Sequence, residues 1–507
     1  MGRRWGTAAA AGLSATLVAT SVAYAAVESD SSELRDAVTV EGVRSHQQAF
    51  QDIADANRGT RASGSPGYDA SANYVAAQMT AAGFDVTVQP FDFPFFEELE
   101  PAELEQVSPT PTSYEYFGLA GFATMSYSGS GDVTASTEGV DIIDPTGQPA
   151  NTSTSGCEAE DFAGFTSGNI AIVQRGTCSF AQKAANAEAA GASAVVIFNE
   201  GQDGRTANFL GTLGAPGITI PVVGAATSVG FELAASGVTA RVFVNAVSEI
   251  RSTVNVLAET PGGRDDRVVV VGAHLDSVSE GPGIQDNGSG SAAILEIARQ
   301  MSELGIEPRN KVRFAWWGAE ESGLLGAEYY VDQLSAREIK NIAVNLNFDM
   351  IGSPNFVRFV YDGDGSATPL AGPNGSGSVE RVFLNYFAEQ GLATEPTAFD
   401  GRSDYGPFIA VGIPAGGLFT GAEGIKTEEQ ATIYGGTAGE QYDPCYHLAC
   451  DTFDNISLEA LDQMSDAAAH AVLTFAQTTS AVNGADRGKA QGQQVGDLEF
   501  RGSRAQL

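Results

Sequence analysis

Two stretches of the chain are apolar at nearly every position, Val268 to Gly272 and Val312 to Trp317. A strand that alternates shows one face to water, whereas a strand without alternation is buried on both faces, as in a parallel sheet covered by helices. Between the two runs a Gly-rich turn around Asp286 leads into Ala292 to Leu304, whose apolar residues recur at helical spacing. The same periodicities predict a helix over 70–82, a strand of alternating residues over 84–93 and a further strand over 253–258. Beyond the second run they predict a helix over 324–334, a strand over 342–350 and helices over 379–390 and 458–477. Glu97 to Gly118 is Pro-rich and acidic and reads as a surface loop or linker. These elements make an α/β chain with a mixed, mostly parallel sheet sandwiched by helices.

The texture changes between about Thr124 and Val247. Residues 169–199 read as strand, helix, strand, and residues 219–245 repeat that order. Histidine is absent there and no catalytic spacing occurs, so this is expected to be a separate unit inserted into the main domain. A chain of 507 residues exceeds one ordinary core, which agrees with two units. The boundaries expected are 42–120 and 250–477 for the main domain and 121–249 for the insert. Residues 27–41 are a candidate pro-segment, and the polar, Gly- and Gln-rich stretch 478–507 is expected to be a disordered tail.

Charge and location narrow the function classes. Lys and Arg number 27 against 63 Asp and Glu, a net charge of −36 that disfavours nucleic acid and anionic membrane as partners. Arg3 and Arg4 precede a small, apolar run from Thr7 to Val22, and Ala23-Tyr24-Ala25 offers a cleavage site, so residues 1–26 read as a signal peptide. No later stretch is apolar for long enough to span a bilayer. A secreted, extracellular monomer is therefore expected. In an exported chain the four cysteines are expected to pair locally, Cys157 with Cys178 and Cys445 with Cys450, zinc ligation by the second pair being the poorer alternative.

The candidate chemistry gathers where strands end. His274 and Asp276 close the first apolar run, Glu320 and Glu321 follow the second, and Asp349 follows the strand over 342–350. Active sites of open α/β sheets are built at such ends. Of the four histidines, His46 and His470 read as ordinary imidazoles, whereas His274 and His447 stand in turns beside acids. His274, Asp286, Glu321, Asp349 and His447 together offer nitrogen and hard oxygen, a donor set that suits Zn²⁺. Five ligands are too many for one open catalytic zinc, but two ions sharing one carboxylate would have three each.

Five ordered motifs carry a resemblance. His274-Leu275-Asp276-Ser277, Asp286-Asn287-Gly288-Ser289-Gly290, Trp316-Trp317-Gly318-Ala319-Glu320-Glu321, Asn347-Phe348-Asp349-Met350-Ile351-Gly352 and Tyr446-His447 resemble the secreted bacterial di-zinc leucine aminopeptidases, relatives of the glutamate carboxypeptidases. Within the insert, Gln174 to Phe180 and Ala190 to Val196 resemble the protease-associated domain, to which no chemistry is assigned. The resemblance implies that Asp286 bridges two Zn²⁺, with His274 and Asp349 completing one and Glu321 and His447 the other. It implies that Asp276 fixes the His274 imidazole and that the peptide after Asp286 is cis. Glu320 is then the general base, passing a proton from the attacking water to the leaving amine, with Tyr446 donating to the oxyanion and Arg402 contacting substrate. Met350, Gly401 and Phe419 would form an apolar pocket for a leucine-like N-terminal residue of a peptide or protein. Asp462 and Asp466 lie four apart on the last helix, either as a Ca²⁺ site or as a solvated face. The competing readings are a carboxypeptidase or dipeptidase on the same metals, and a receptor-like relative without activity.

Overall fold

The computed structural model of the chain describes residues 30–483. The expected signal peptide and the tail from 484 on lie outside the described residues. Strands Ala415–Phe419, Ile342–Phe348, Arg264–His274 and Asn310–Trp317 lie side by side in that order and all run parallel. Glu395–Thr397 and Phe359–Tyr361 extend the sheet at one edge, and Thr239–Glu259 and Asp85–Ser108 extend it antiparallel at the other.

The unbroken apolar runs have the expected cause, because both faces of the sheet are covered. Val269, Val271 and Ala273 pack with Val312, Phe314 and Trp316 into the larger core, under helices Val40–Ala56, Pro66–Ala81, Gly288–Glu303 and Leu458–Gln477. Val268 and Val270 point the other way, with Ala315 and Trp317, into a smaller core that Tyr330, Val331 and Phe408 complete. Period-two alternation is thus present in space although it is invisible in the residue types.

Three differences from the expected outline have physical reasons. Glu97 to Gly118 is largely strand, since Asp85–Ser108 continues through it, paired with Thr239–Glu259 along its length. Pro94 and Pro101 are tolerated because this strand lies at an edge, where a missing N–H costs no ladder bond. Within the stretch Ala102 and Leu104 are buried while Glu100, Pro101 and Glu103 are exposed, so the loop-like composition belongs largely to the wet face. Second, the insert shares this ribbon. Strand Gly131–Val140 pairs with the beginning of Thr239–Glu259, and Ile170–Gln174, Ala194–Phe198 and Val222–Ala225 follow in parallel, so the expected boundary at 249/250 falls inside one continuous strand. Third, the described part of the candidate pro-segment is built into the main core. Helix Ser32–Ala37 places Leu34 and then Val38 in the larger cluster, and Ser31 Oγ lies 2.9 Å from His470 Nδ1. Leu34→Ala is expected to lower stability by about 2–5 kcal/mol, read as a shift in the urea unfolding midpoint; a shift within error would show that 30–41 merely rests on the surface.

Candidate metal centre

The parallel register brings distant residues together. Trp317 lies opposite His274, and Asn347 opposite Gly272, so the segments that follow these strands leave the sheet at one level. Two of them then turn on a left-handed residue that is not glycine, as does the separate loop that carries His447. Ala319 (φ 53°) precedes Glu320, Met350 (φ 51°) follows Asp349, and His447 itself has φ 58°. Such residues cost about 1–3 kcal/mol each and persist only where the surroundings hold them.

Asp286 arrives from the turn before helix Gly288–Glu303, across a cis peptide to Asn287. The Asn287 side chain caps this helix by accepting from Gly290 N at 2.9 Å, and it also donates to Phe348 O at 3.0 Å and accepts from Met350 N at 3.2 Å. One amide therefore pins the helix start to the strand end that delivers Asp349. The approach is close enough to require glycine at 290, where a Cβ would lie 2.2 Å from Phe348 O.

All five expected ligand residues converge. His274 Nε2 lies 3.2 Å from Asp286 Oδ1 and 3.3 Å from Asp349 Oδ1. His447 Nε2 lies 3.1 Å from Asp286 Oδ2 and 3.1 Å from Glu321 Oε2. The two oxygens of Asp286 thus face different imidazoles, each with a further carboxylate of its own. Glu320 lies alongside, its Oε2 4.0 Å from His274 Nε2. Burial would strip the proton from His274, but Glu320 and Asp349 outweigh it and hold the imidazole well above its usual range. Burial likewise opposes charge on His447, and Glu321 with Asp286 raises it to about 10. Desolvation pushes the carboxyls of Glu320 and Asp404 well above the usual range, with His274 opposing in both cases. The centre is a buried cluster of carboxyl groups and imidazoles.

The surrounding groups differ in detail from the expected plan. His274 Nδ1 lies 3.1 Å from the backbone carbonyl of Asp276 and 3.7 Å from its carboxylate. The carboxylate turns instead to the next loop, accepting from Glu320 N at 3.2 Å and Glu321 N at 3.4 Å. Asp276 therefore aims both glutamates as well as the histidine. Arg402 donates to Glu423 Oε1 at 2.8 Å and lies 3.5 Å from Tyr446 OH, while the Tyr446 and His447 rings stack 3.8 Å apart. Ser403 Oγ donates to Asp349 Oδ2 at 2.6 Å.

Met350 and Phe419 line the cleft together with Tyr361, Thr397, Ala398 and Ala422. Gly401 is not among the lining residues; its amide lies behind them, held by Tyr405 OH at 3.0 Å. Sequence reasoning missed Tyr361, Ser403 and Glu423. Tyr361 ends a strand of three residues, too short for any periodicity, and Ser403 could have been suspected only as the neighbour of Arg402. The cysteines pair as expected, Cys157 with Cys178 and Cys445 with Cys450. Asp466 lies 3.8 Å from Arg35, and among the described residues neither it nor Asp462 joins a group of three acid, histidine or cysteine ligands. His46 and His470 lie elsewhere, the former 3.1 Å from Glu296.

Comparison with known proteins agrees with this geometry. The model of peptidase family M28 matches residues 255–472, and that of the PA domain matches residues 145–233. An aminopeptidase of Pseudomonas aeruginosa is 48% identical over 463 residues, covering 91% of this chain and 85% of the relative. The chain belongs to peptidase family M28. Leucine aminopeptidase 2 of Trichophyton equinum is 47% identical over 327 residues, 64% of this chain and 65% of the fungal protein. Among solved structures, BSAP, a zinc aminopeptidase from Bacillus subtilis, is similar with a TM-score of 0.56 and 26% identity, covering 86% of this chain and 94% of that one. This M28 peptidase is thus an aminopeptidase-type hydrolase with an inserted PA domain.

The loop beside the centre offers a direct check. Tyr405 OH donates to Asp400 Oδ1 at 2.8 Å and accepts from Gly401 N. Tyr405→Phe is expected to leave both partners short of a bond and to cost about 1–3 kcal/mol, measured by urea unfolding; an unchanged midpoint would show that the loop is held otherwise.

Proposed function

We propose that this chain is a secreted aminopeptidase that uses two Zn²⁺ to release hydrophobic, leucine-like residues from peptides and proteins with free N-termini. The observation that carries the reading is Asp286, whose two oxygens lie 3.2 and 3.1 Å from the Nε2 atoms of His274 and His447. Asp349 and Glu321 stand beside these imidazoles in turn, giving two groups of three that share Asp286, while Glu320 groups with His274 and Glu321. Imidazole nitrogen mixed with carboxylate oxygen fits zinc, and a buried cluster of carboxyl groups fits cations. His274, Asp286 and Asp349 would hold one ion, and Asp286, Glu321 and His447 the other. Bound there, such ions lower the pKa of water toward 7 and polarise a carbonyl oxygen.

The remaining chemistry belongs to the chain. Glu320 belongs to neither set that shares Asp286, and its carboxylate takes the proton of the attacking water and returns it to the leaving amine. Its buried surroundings favour that role, because a desolvated carboxylate accepts a proton more readily than an exposed one. Tyr446 donates to the oxygen on which charge develops, and Arg402, held by Glu423, lies beside that hydroxyl to contact substrate. Met350, Tyr361 and Phe419 give the first residue an apolar wall, which supports a leucine-like preference. The name of the fungal relative points the same way. Two disulfides, and no helix among the described residues long and apolar enough to cross a membrane, support an exported enzyme.

Three measurements test the reading. The purified chain should carry two zinc ions, lose hydrolysis of a leucine chromogenic amide on chelation and regain it with added zinc; full activity in excess chelator would refute the metal assignment. Glu320→Ala should keep both ions and lose about 10²–10⁴-fold in kcat, whereas an active variant would remove Glu320 as the base. In a panel of amino-acid amides, leucine should outrank glutamate and lysine, and a charged first residue in the lead would overturn the pocket.

A further inference from the structure

The turn that delivers Asp286 is gripped through its backbone by two buried polar residues from distant parts of the chain. Arg61 is fully buried and spends its guanidinium on carbonyls, donating from Nε to Pro282 O at 2.8 Å, from one terminal nitrogen to Gly283 O at 2.6 Å and from the other to Leu275 O. Asp451 takes the opposite edge. Its two carboxylate oxygens accept from Gln285 N at 2.8 Å and Asp286 N at 3.0 Å, and its own carbonyl accepts from Ile284 N at 3.1 Å. Gln47 Nε2 donates to Ile284 O at 3.1 Å and Ser289 Oγ to Gln285 O at 2.7 Å. From Pro282 to Asp286 the backbone is thus held on both sides, in a place that water does not reach.

On the reading that Asp286 bridges two zinc ions, we propose that Arg61 and Asp451 are positioning residues that fix this carboxylate before metal arrives. A bridging ligand must offer each oxygen in a set direction, and a loop free to rotate would have to be ordered at the expense of binding energy. A guanidinium on the carbonyl edge and a carboxyl group on the amide edge remove that freedom without touching the Asp286 carboxylate itself. Asp451 also follows Cys450, which pairs with Cys445 to close the disulfide loop carrying His447. The clamp therefore ties the Asp286 turn to the second imidazole, and loosening it should weaken both ion sites rather than one.

The test uses Asp451→Asn and Arg61→Lys in the full chain, with zinc alone as the probe. The asparagine keeps size and one acceptor but sets an NH₂ against a backbone N–H; the lysine keeps charge but cannot span three carbonyls. Zinc dissociation constants, read by competition with a chromogenic chelator, are expected to rise about 10–100-fold for both ions. Amides 285 and 286 of Asp451→Asn are expected to exchange hydrogen faster than in the unsubstituted chain while its near-ultraviolet circular dichroism is kept. A merely structural role would lower the unfolding midpoint and leave zinc affinity and those amides unchanged, which would overturn the proposal; Asp451→Asn alone decides it if Arg61→Lys does not fold. Unsubstituted chain that takes up no zinc would overturn the metal assignment and this inference together, whereas normal uptake by both variants would overturn this inference alone.

Discussion

Confining so many carboxylates to one dry volume is the constraint around which the catalytic domain is arranged. Asp286, Glu320, Glu321 and Asp349 lie with two imidazoles in overlapping groups whose ligand atoms all fall within 4.8 Å of one another, and nearly all of these side chains are buried. Removing an ion from water costs several kcal/mol, and like charges this close add to that cost. The chain meets it with oriented positive charge: amides 320 and 321 pointed at Asp276, guanidinium at the loop carbonyls, imidazolium between the acids. What remains unbalanced is a demand for cations. The same demand explains the strained turns, since Ala319, Met350 and His447 accept left-handed backbone where relaxed geometry would splay the acids apart.

Most of the centre was legible in the sequence because strand ends are legible. A parallel strand buried on both faces must be apolar throughout, so a sudden His274, Glu320 or Asp349 after such a run marks the place where the chain leaves the core. Register then does the rest, because three parallel neighbours necessarily end together. Some helices were also open to reading, with Leu458–Gln477 found where its periodicity put it and Gly288–Glu303 starting one turn earlier than expected, but Val40–Ala56 was not anticipated. That extra turn is Gly- and Ser-rich, a composition that suggests a loop but here serves the close approach of Gly290 to Phe348 O.

What was not legible depends on backbone rather than on residue type. Arg61 and Asp451 recognise carbonyls and amides, so nothing in the sequence of residues 282–286 announces them. The cleft wall has the same difficulty, since Tyr361 and Ala398 enter it from short segments that only the fold brings near Phe419. The long ribbon was misjudged for a different reason. Its outward residues are acidic and its prolines look like breaks, yet the strand lies at the edge of the sheet, Pro101 falls at a register shift, and Phe91, Phe93 and Phe95 alternate inward.

The ribbon also decides how the insert is attached. Strand Thr239–Glu259 pairs with Gly131–Val140 of the insert at its start and with Asn310–Trp317 of the catalytic sheet at its end, where Trp316 lies opposite Val256. A flexible tether would let the two units move independently, but here the ladder between Thr239–Glu259 and Asp85–Ser108 runs from one to the other with only local register shifts. The opposite strand has register shifts between Glu98 and Glu100 and between Glu100 and Glu103, and such bulges bend and twist a ribbon locally. The bend is fastened from the insert, because Thr124 Oγ1 donates to Glu98 Oε1 at 2.5 Å and Tyr116 OH donates to its other oxygen. An acid on the stretch that reads as a loop or linker therefore links the bulged strand to Thr124 of the insert.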